Sequence, residues 1–196
     1  MASNPNYYDQ RPEVRAMSAE VRKNSRFSMS DYAKYDVKRG LRDINGTGVL
    51  VGITNVSEIN AFRMIDGVKT PIDGELFYRG YNVVDIVRKQ DRGNHFGFEE
   101  TAFLLMFGKL PTADELKSFC AILSKYRTLP RNFVRDVIMK KPSTDMMNSL
   151  ARSVLSLYSY DDVPDDTTEG NVLRQCLQLV AMFPLLSVYG YHAYRY

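Results

Sequence analysis

Residues 171–196, NVLRQCLQLVAMFPLLSVYGYHAYRY, are apolar around much of a helical circumference, and no other feature of the sequence restricts the fold so severely. A helix with apolar groups on most of its sides must be covered by other elements. Pro184 is expected to kink it, because proline removes one backbone hydrogen bond and crowds the carbonyl four residues earlier, that of Val180. The tail adds Tyr189, Tyr191, Tyr194 and Tyr196. A surface of that kind is rarely left to water, so partner chains or further polypeptide are expected to cover it.

The elements ahead of it are read from their periods. Residues 1–37 form a polar arm with a lead-in helix, SMSDYAKYDVKR, capped by Ser28 or Ser30. Residues 48–79 break into short β-rich runs, GVLVGIT, NAFRMI, VKTPI and ELFYR, separated by Asp66-Gly67 and Asp73-Gly74. Asp-Gly between alternating apolar runs signals a hairpin, so a small β-meander is expected here, with Pro71 holding its strand to an edge. After Gly80 the period becomes helical: NVVDIVRKQ, then FEETAFLLMFG closed by Gly108, then a helix opened by Thr112 and Glu115 in capping-box spacing. In that helix Leu116, Phe119, Cys120 and Leu123 share a face. A short helix follows Pro130. The next, STDMMNSLARSVLSLYSY, carries a stripe of Met147, Leu150, Val154 and Leu157 beside the small residues Ser149, Ala151, Ser153 and Ser156, which permit close approach of a neighbour. DDVPDDTTEG is a loop in which Thr167 or Thr168 caps the final helix. The expected class is mainly α, with a small β-meander near residues 48–79.

Net charge is only +3, from 26 basic and 23 acidic residues mixed along the chain, so no nucleic-acid footprint is visible. Cys120 and Cys176 lie too far apart for a zinc or redox pair and read as buried free thiols of a reducing compartment. There is no secretory signal, and the run LVAMFPLLSV is too short for a bilayer, so a cytoplasmic protein without membrane contact is expected.

Few residues of the sequence carry recognisable chemistry. His95, in RGNHFG, reads as a loop histidine, and His192 as a packed or interfacial ring. Neither has a companion at metal-ligand spacing. NGTG has the glycines of a phosphate loop without its Lys-Ser/Thr. Asp161, Asp162, Asp165 and Asp166 lack the ligand alternation of a calcium loop and read as solvated. No complete active site can be assembled from these residues.

The ordered stretches GLRDINGTGVLVG, ELFYRGYNVVDIV, FGFEETAFLLMFGKLPTADEL, LPRNFVRDVIMKKPSTDMMNSLARSVLSLYSYDDVPDD and NVLRQCLQLVAMFPLLSVYGYHAYRY closely resemble the N-terminal part of citrate synthase, bacterial branch, over residues 38–196. The resemblance implies a mainly α-helical large domain, and a dimer or higher oligomer built through helices at 144–160 and 168–195. It implies an enzyme that condenses acetyl-CoA with oxaloacetate to citrate and CoA, both being substrates and not cofactors. The family's two catalytic histidines and aspartate lie in its C-terminal half, so no catalytic residue is expected in this chain, which alone should be inactive. Arg42 matches an arginine that contacts CoA phosphates, although a backbone-bracing role suits it equally. Arg79, in Tyr-Arg-Gly, is expected to hold nearby carbonyls or carboxylates through its planar fork, and Gly80 to relieve crowding at the same turn. Two alternatives remain: a 2-methylcitrate synthase segment accepting propionyl-CoA, and a non-catalytic helical dimerisation module.

Overall fold

The computed structural model describes residues 12–24, 28–35, 37, 41, 49–93 and 96–196. Helices dominate. In chain order they are α1 (Pro12–Asn24), α2 (Met29–Lys34), α3 (Val83–Gly93), α4 (Phe98–Phe107), α5 (Ala113–Tyr126), α6 (Met146–Tyr158) and α7 (Glu169–Arg195). Among the described residues one antiparallel sheet has the order β1 (Ser57–Ile65), β2 (Val68–Tyr78), β3 (Tyr81–Asn82). The chain separates into two compact units, Glu20–Leu116 and Lys117–Tyr196 with Met1–Ala19.

In the Glu20–Leu116 unit the β1–β2 hairpin turns at Asp66-Gly67, where both φ angles are positive, +50° and +78°, and Ile65 pairs with Val68. This is the primed turn expected of Asp-Gly, because its twist matches that of the flanking strands. Two strand expectations fail. Asp73-Gly74 is no turn but lies inside β2, where Ile72, Asp73 and Gly74 together oppose Ala61 between the pairs Asn60↔Glu75 and Phe62↔Pro71. Glycine in a strand marks a bulge as readily as a turn. GVLVGIT is not a strand over its described residues 49–54, since no partner lies beyond the outer edge of β1 among the described residues. Pro71 sits in the middle strand, yet β3 reaches only Phe77 and Tyr78, so at Pro71 the strand has one neighbour and loses no ladder bond on the other side.

Arg79-Gly80 forms a second two-residue turn: Tyr78 pairs with Tyr81, and the φ angles are +49° and +85°. Gly80 is there for its dihedral and not for crowding, since a Cβ at that position would meet open space. Arg79 adopts the left-handed region at some conformational cost for a non-glycine residue. The turn aims its guanidinium at the C-terminus of α4. Nε and Nη2 both donate to the Leu105 carbonyl, at 3.0 and 2.8 Å, and Nη1 donates to Asn55 Oδ1 at 2.6 Å. Asn24 Nδ2 takes the Phe107 carbonyl at 2.6 Å, and the left-handed Gly108 returns its N–H to Leu104 at 2.8 Å. A helix leaves its last carbonyls without intrahelical donors; three of them are satisfied here, with a cation at the negative end of the helix dipole. Partial burial draws the Arg79 guanidinium below its ordinary pKa without approaching neutrality.

At α5, Thr112 and Glu115 form the expected capping box: the Thr112 N–H donates to Glu115 at 2.8 Å, and the Glu115 N–H to Thr112 Oγ1 at 3.3 Å. The bond from Lys109, with the Thr112 N–H, holds Glu115 down at about 2.

The Lys117–Tyr196 unit is built on an α6–α7 hairpin. Ser149 and Ser153, not the large apolar residues, are the buried side chains of α6. A Cβ on the buried Gly190 would touch Met146 Cε at 3.4 Å, which puts the start of α6 beside the end of α7. Leu150, Val154 and Leu157 pack from the side onto Phe133, Ile138 and Leu186. Met147, expected in that stripe, is instead 74% exposed. The short helix expected after Pro130 is a π-helical turn, Val134–Ile138, closed by Met139 N–H to Val134 O at 2.8 Å. The helix α7 runs unbroken through Pro184 for 27 residues, much longer than its most apolar run. By length and composition alone it could cross a membrane. Its Asn171, Arg174 and Gln178 are buried against the rest of its unit. Cys120 is only half-buried and Cys176 exposed, contrary to the expectation of two buried thiols.

Arg79→Ala should lower the unfolding free energy by about 2 kcal/mol, the scale of hydrogen bonds to a charged group. Arg79→Lys should recover only part of it, because an ammonium cannot span the same acceptors. Urea denaturation checks this; an Ala variant within about 0.5 kcal/mol of wild type would show that the guanidinium does not hold the end of α4.

Candidate functional site

A dense polar network occupies the α6–α7 loop. Its sequence cue is a stripe of Asn171, Arg174 and Gln178 at spacings of three and four on an otherwise apolar helix, a pattern that matches no catalytic or metal-binding motif. Arg174 is 2% exposed, the largest fully buried side chain described. Each of its nitrogens is engaged: Nε with Asn171 Oδ1 at 2.9 Å, Nη1 with Gln178 Oε1 at 2.7 Å, and Nη2 with Asp161 Oδ1 and Oδ2 at 2.8 and 2.7 Å. Asp161 also accepts from the Val163 N–H at 3.1 Å and from Gln175 Nε2 at 3.2 Å.

The loop is therefore not simply solvated. Asp165 accepts the Tyr158 hydroxyl at 2.9 Å, which pushes that phenol above its usual pKa. Asp166 accepts the N–H and hydroxyl of Thr168, at 2.9 and 3.0 Å. Thr168 occupies the N-cap position of α7, as expected, but its own hydroxyl makes no cap bond. Asn171 Nδ2 instead ties the first turn to the Val163 and Asp166 carbonyls, at 3.0 and 2.7 Å. No group of three or more metal-ligating side chains occurs among the described residues.

Beside the network lies a cavity of about 260 Å³, walled by Val154, Leu157 and Met182 with Tyr158, Asp161 and Gln175 at its polar side. A second, polar cavity of about 410 Å³ is lined by Asn24, Thr54, Asn55, Glu58 and Arg79. In both places the arginine already serves protein acceptors, so each guanidinium works as a brace and not as an open anion receptor. Arg42, the proposed CoA-phosphate contact, lies outside the described residues, as does His95. His192 is exposed near the end of α7, stacked on Tyr196 at 5.7 Å and edge-on to Tyr191 at 5.9 Å.

Burial pushes the Asp161 carboxyl up, but the bonds from Arg174, the Val163 N–H and Gln175 outweigh it and hold the group below its ordinary pKa. A depressed carboxylate pKa contributes stability that is complete above the unfolded value, about 3.9, and is lost as pH falls through the folded value. Asp161→Ala should destabilise the protein by about 3 kcal/mol by leaving a buried cation without its carboxylate. Adding Arg174→Met should return much of that loss. Thermal unfolding at neutral pH and below pH about 4 checks both: the wild-type advantage over Asp161→Ala must shrink in acid, and an undiminished advantage would contradict the pairing.

The comparisons with known proteins follow this architecture. Residues 41–196 match the family model described as citrate synthase, C-terminal domain. The chain is 31% identical over 125 residues to the citrate synthase of Saccharolobus solfataricus, covering 64% of this chain and 28% of that protein. It is 28% identical over 151 residues to 2-methylcitrate synthase 1 of Corynebacterium glutamicum, covering 76% of this chain and 34% of that one. Among solved structures, the citrate synthase of Pyrobaculum aerophilum superposes with a TM-score of 0.60 at 26% identity, over 81% of this chain and 40% of that one. A second, from Thermoplasma acidophilum in ternary complex with carboxymethyl coenzyme A and oxaloacetate, has the same TM-score at 19% identity and bears on the fold alone. The chain thus spans roughly a third of the length of the curated relatives it matches. A mainly α chain with one small sheet, matched over most of its length by the family's model and superposable on its solved members, belongs to the citrate synthase family.

Proposed function

We propose that this chain is the N-terminal scaffold of an enzyme that condenses acetyl-CoA with oxaloacetate to citrate and CoA, and that residues 1–196 alone do not turn over. The observation that carries the reading is the family match across residues 41–196 in a chain that covers 40% or less of the relatives described above. In this reading the reacting groups belong to the remaining length, Arg42 contacts the CoA phosphates, and α6 with α7 forms the subunit interface. Support for the last point is the outward apolar face of α6, where Met147, Ala151, Leu155 and Tyr158 are exposed at intervals of four, four and three.

The 2-methylcitrate reading keeps the fold and changes the acyl donor to propionyl-CoA; its support is the Corynebacterium 2-methylcitrate synthase, 28% identical over 151 residues. Thiol release in the presence of oxaloacetate separates the possibilities. The polypeptide as encoded at full length should release CoA from acetyl-CoA, and the isolated 196 residues from neither donor. A preference of the full-length protein for propionyl-CoA, by about tenfold or about 1.4 kcal/mol, would select the second reading. Turnover by the isolated chain would overturn its inactivity, and silence of the full-length protein with both donors would overturn both readings.

A further inference from the structure

The hairpin contains two Asp-Gly pairs in different settings, and the dipeptide has its own chemistry. We infer that Asp73, in the β2 bulge, is a site of spontaneous isoaspartate formation, and that Asp66 is protected by its turn. Ring closure needs the backbone nitrogen of the following residue to reach the aspartate Cγ, which requires an unbranched neighbour and rotation about the Cα–C bond of the aspartate. Asp73 meets both conditions. Ile72, Asp73 and Gly74 oppose the single residue Ala61, so the ladder is already interrupted there and rotation at Asp73 sacrifices no pair. Asp73 is exposed, a Cβ on Gly74 would meet nothing within 4 Å, and no hydrogen bond or ion pair engages the Asp73 carboxylate among the described residues. Asp66 is also exposed and also precedes an open glycine. But it is held at φ +50° in a turn closed by the Ile65↔Val68 pair, so the same rotation must open the turn.

The step balances without an external oxidant or reductant. The Gly74 nitrogen forms a bond to Cγ of the protonated Asp73 carboxyl, the C–OH bond breaks, and the hydroxyl leaves with the amide proton as water, giving a five-membered succinimide. Water then adds to either imide carbonyl. Opening on one side restores aspartate; opening on the other routes the main chain through the former side chain and leaves a free α-carboxylate. The product has one extra backbone atom two residues ahead of Glu75, which pairs with Asn60 and whose two carboxylate oxygens both accept from Arg63 Nη2, at 3.0 and 3.1 Å. A chain lengthened there cannot keep that register without displacing the ion pair.

The test is to age the purified chain at neutral pH and physiological temperature, then treat it with isoaspartyl methyltransferase and labelled S-adenosylmethionine and map the label by peptide. Label should accumulate at position 73 about tenfold faster than at 66, a barrier difference of about 1.4 kcal/mol. Asp73→Glu should abolish label in that peptide, and Gly74→Ala should slow it. Ageing in urea should bring the two positions to similar rates, because the bulge and the turn are then both gone. Equal or greater labelling at 66 in the folded protein, no label at either position, or the same bias in urea would each overturn the assignment.

Discussion

The buried guanidinium of Arg174 is the contact on which the helical unit depends. A charge 2% exposed is tolerable only if each of its donors is met. The partners come from one turn before it, one turn after it and the loop that precedes it: Asn171, Gln178 and Asp161. Because Asp161 follows α6 by only three positions, the ion pair fixes where α6 ends relative to the first turns of α7. The small buried faces of Ser149, Ser153 and Gly190 then let the two helices lie close, and Phe133, Ile138 and Leu186 fill the flank. What is left outward is determined by that choice. Burying serines turns Met147 and Leu155 away from α7.

Arg79 plays the corresponding part in the other unit by a different device. Its side chain is useful because its backbone is left-handed: the primed turn at Arg79-Gly80 returns β2 onto β3 and presents the fork to the end of α4. Asn24 and Gly108 complete the cap. Local strain at one residue is offset by satisfying helix carbonyls that would otherwise lack donors.

Much of this was legible in the residues. Asp66-Gly67, the capping box of Thr112 and Glu115, the left-handed Gly108 and the succession of helices follow from local chemistry that nothing tertiary overrides. The misreadings have a common source. Asp73-Gly74 carries the same signal as a hairpin turn, and only the pairing of β1 decides that it is a bulge. Met147 continues a stripe by spacing, but the helix buries its serine face instead. The acidic loop looked solvated because the cation that recruits Asp161 is distant in the pattern, across the loop on α7. The site was less legible than the fold for a simple reason: the polar residues with the most partners brace helices, and Arg42 lies outside the described residues.

The outward side of the helix pair connects the packing to the proposed function. Val172, Phe183 and Tyr194 on α7, with Leu155 on α6, are apolar side chains left exposed among the described residues. Removing such surface from water is worth about 25 cal/mol per Å², so a second copy is the natural occupant in the interface reading. Sedimentation velocity of the purified 196-residue chain tests this most directly. The account predicts reversible self-association, weakened when Leu155 and Phe183 are replaced by Glu and Lys; a monodisperse monomer at every accessible concentration would contradict it.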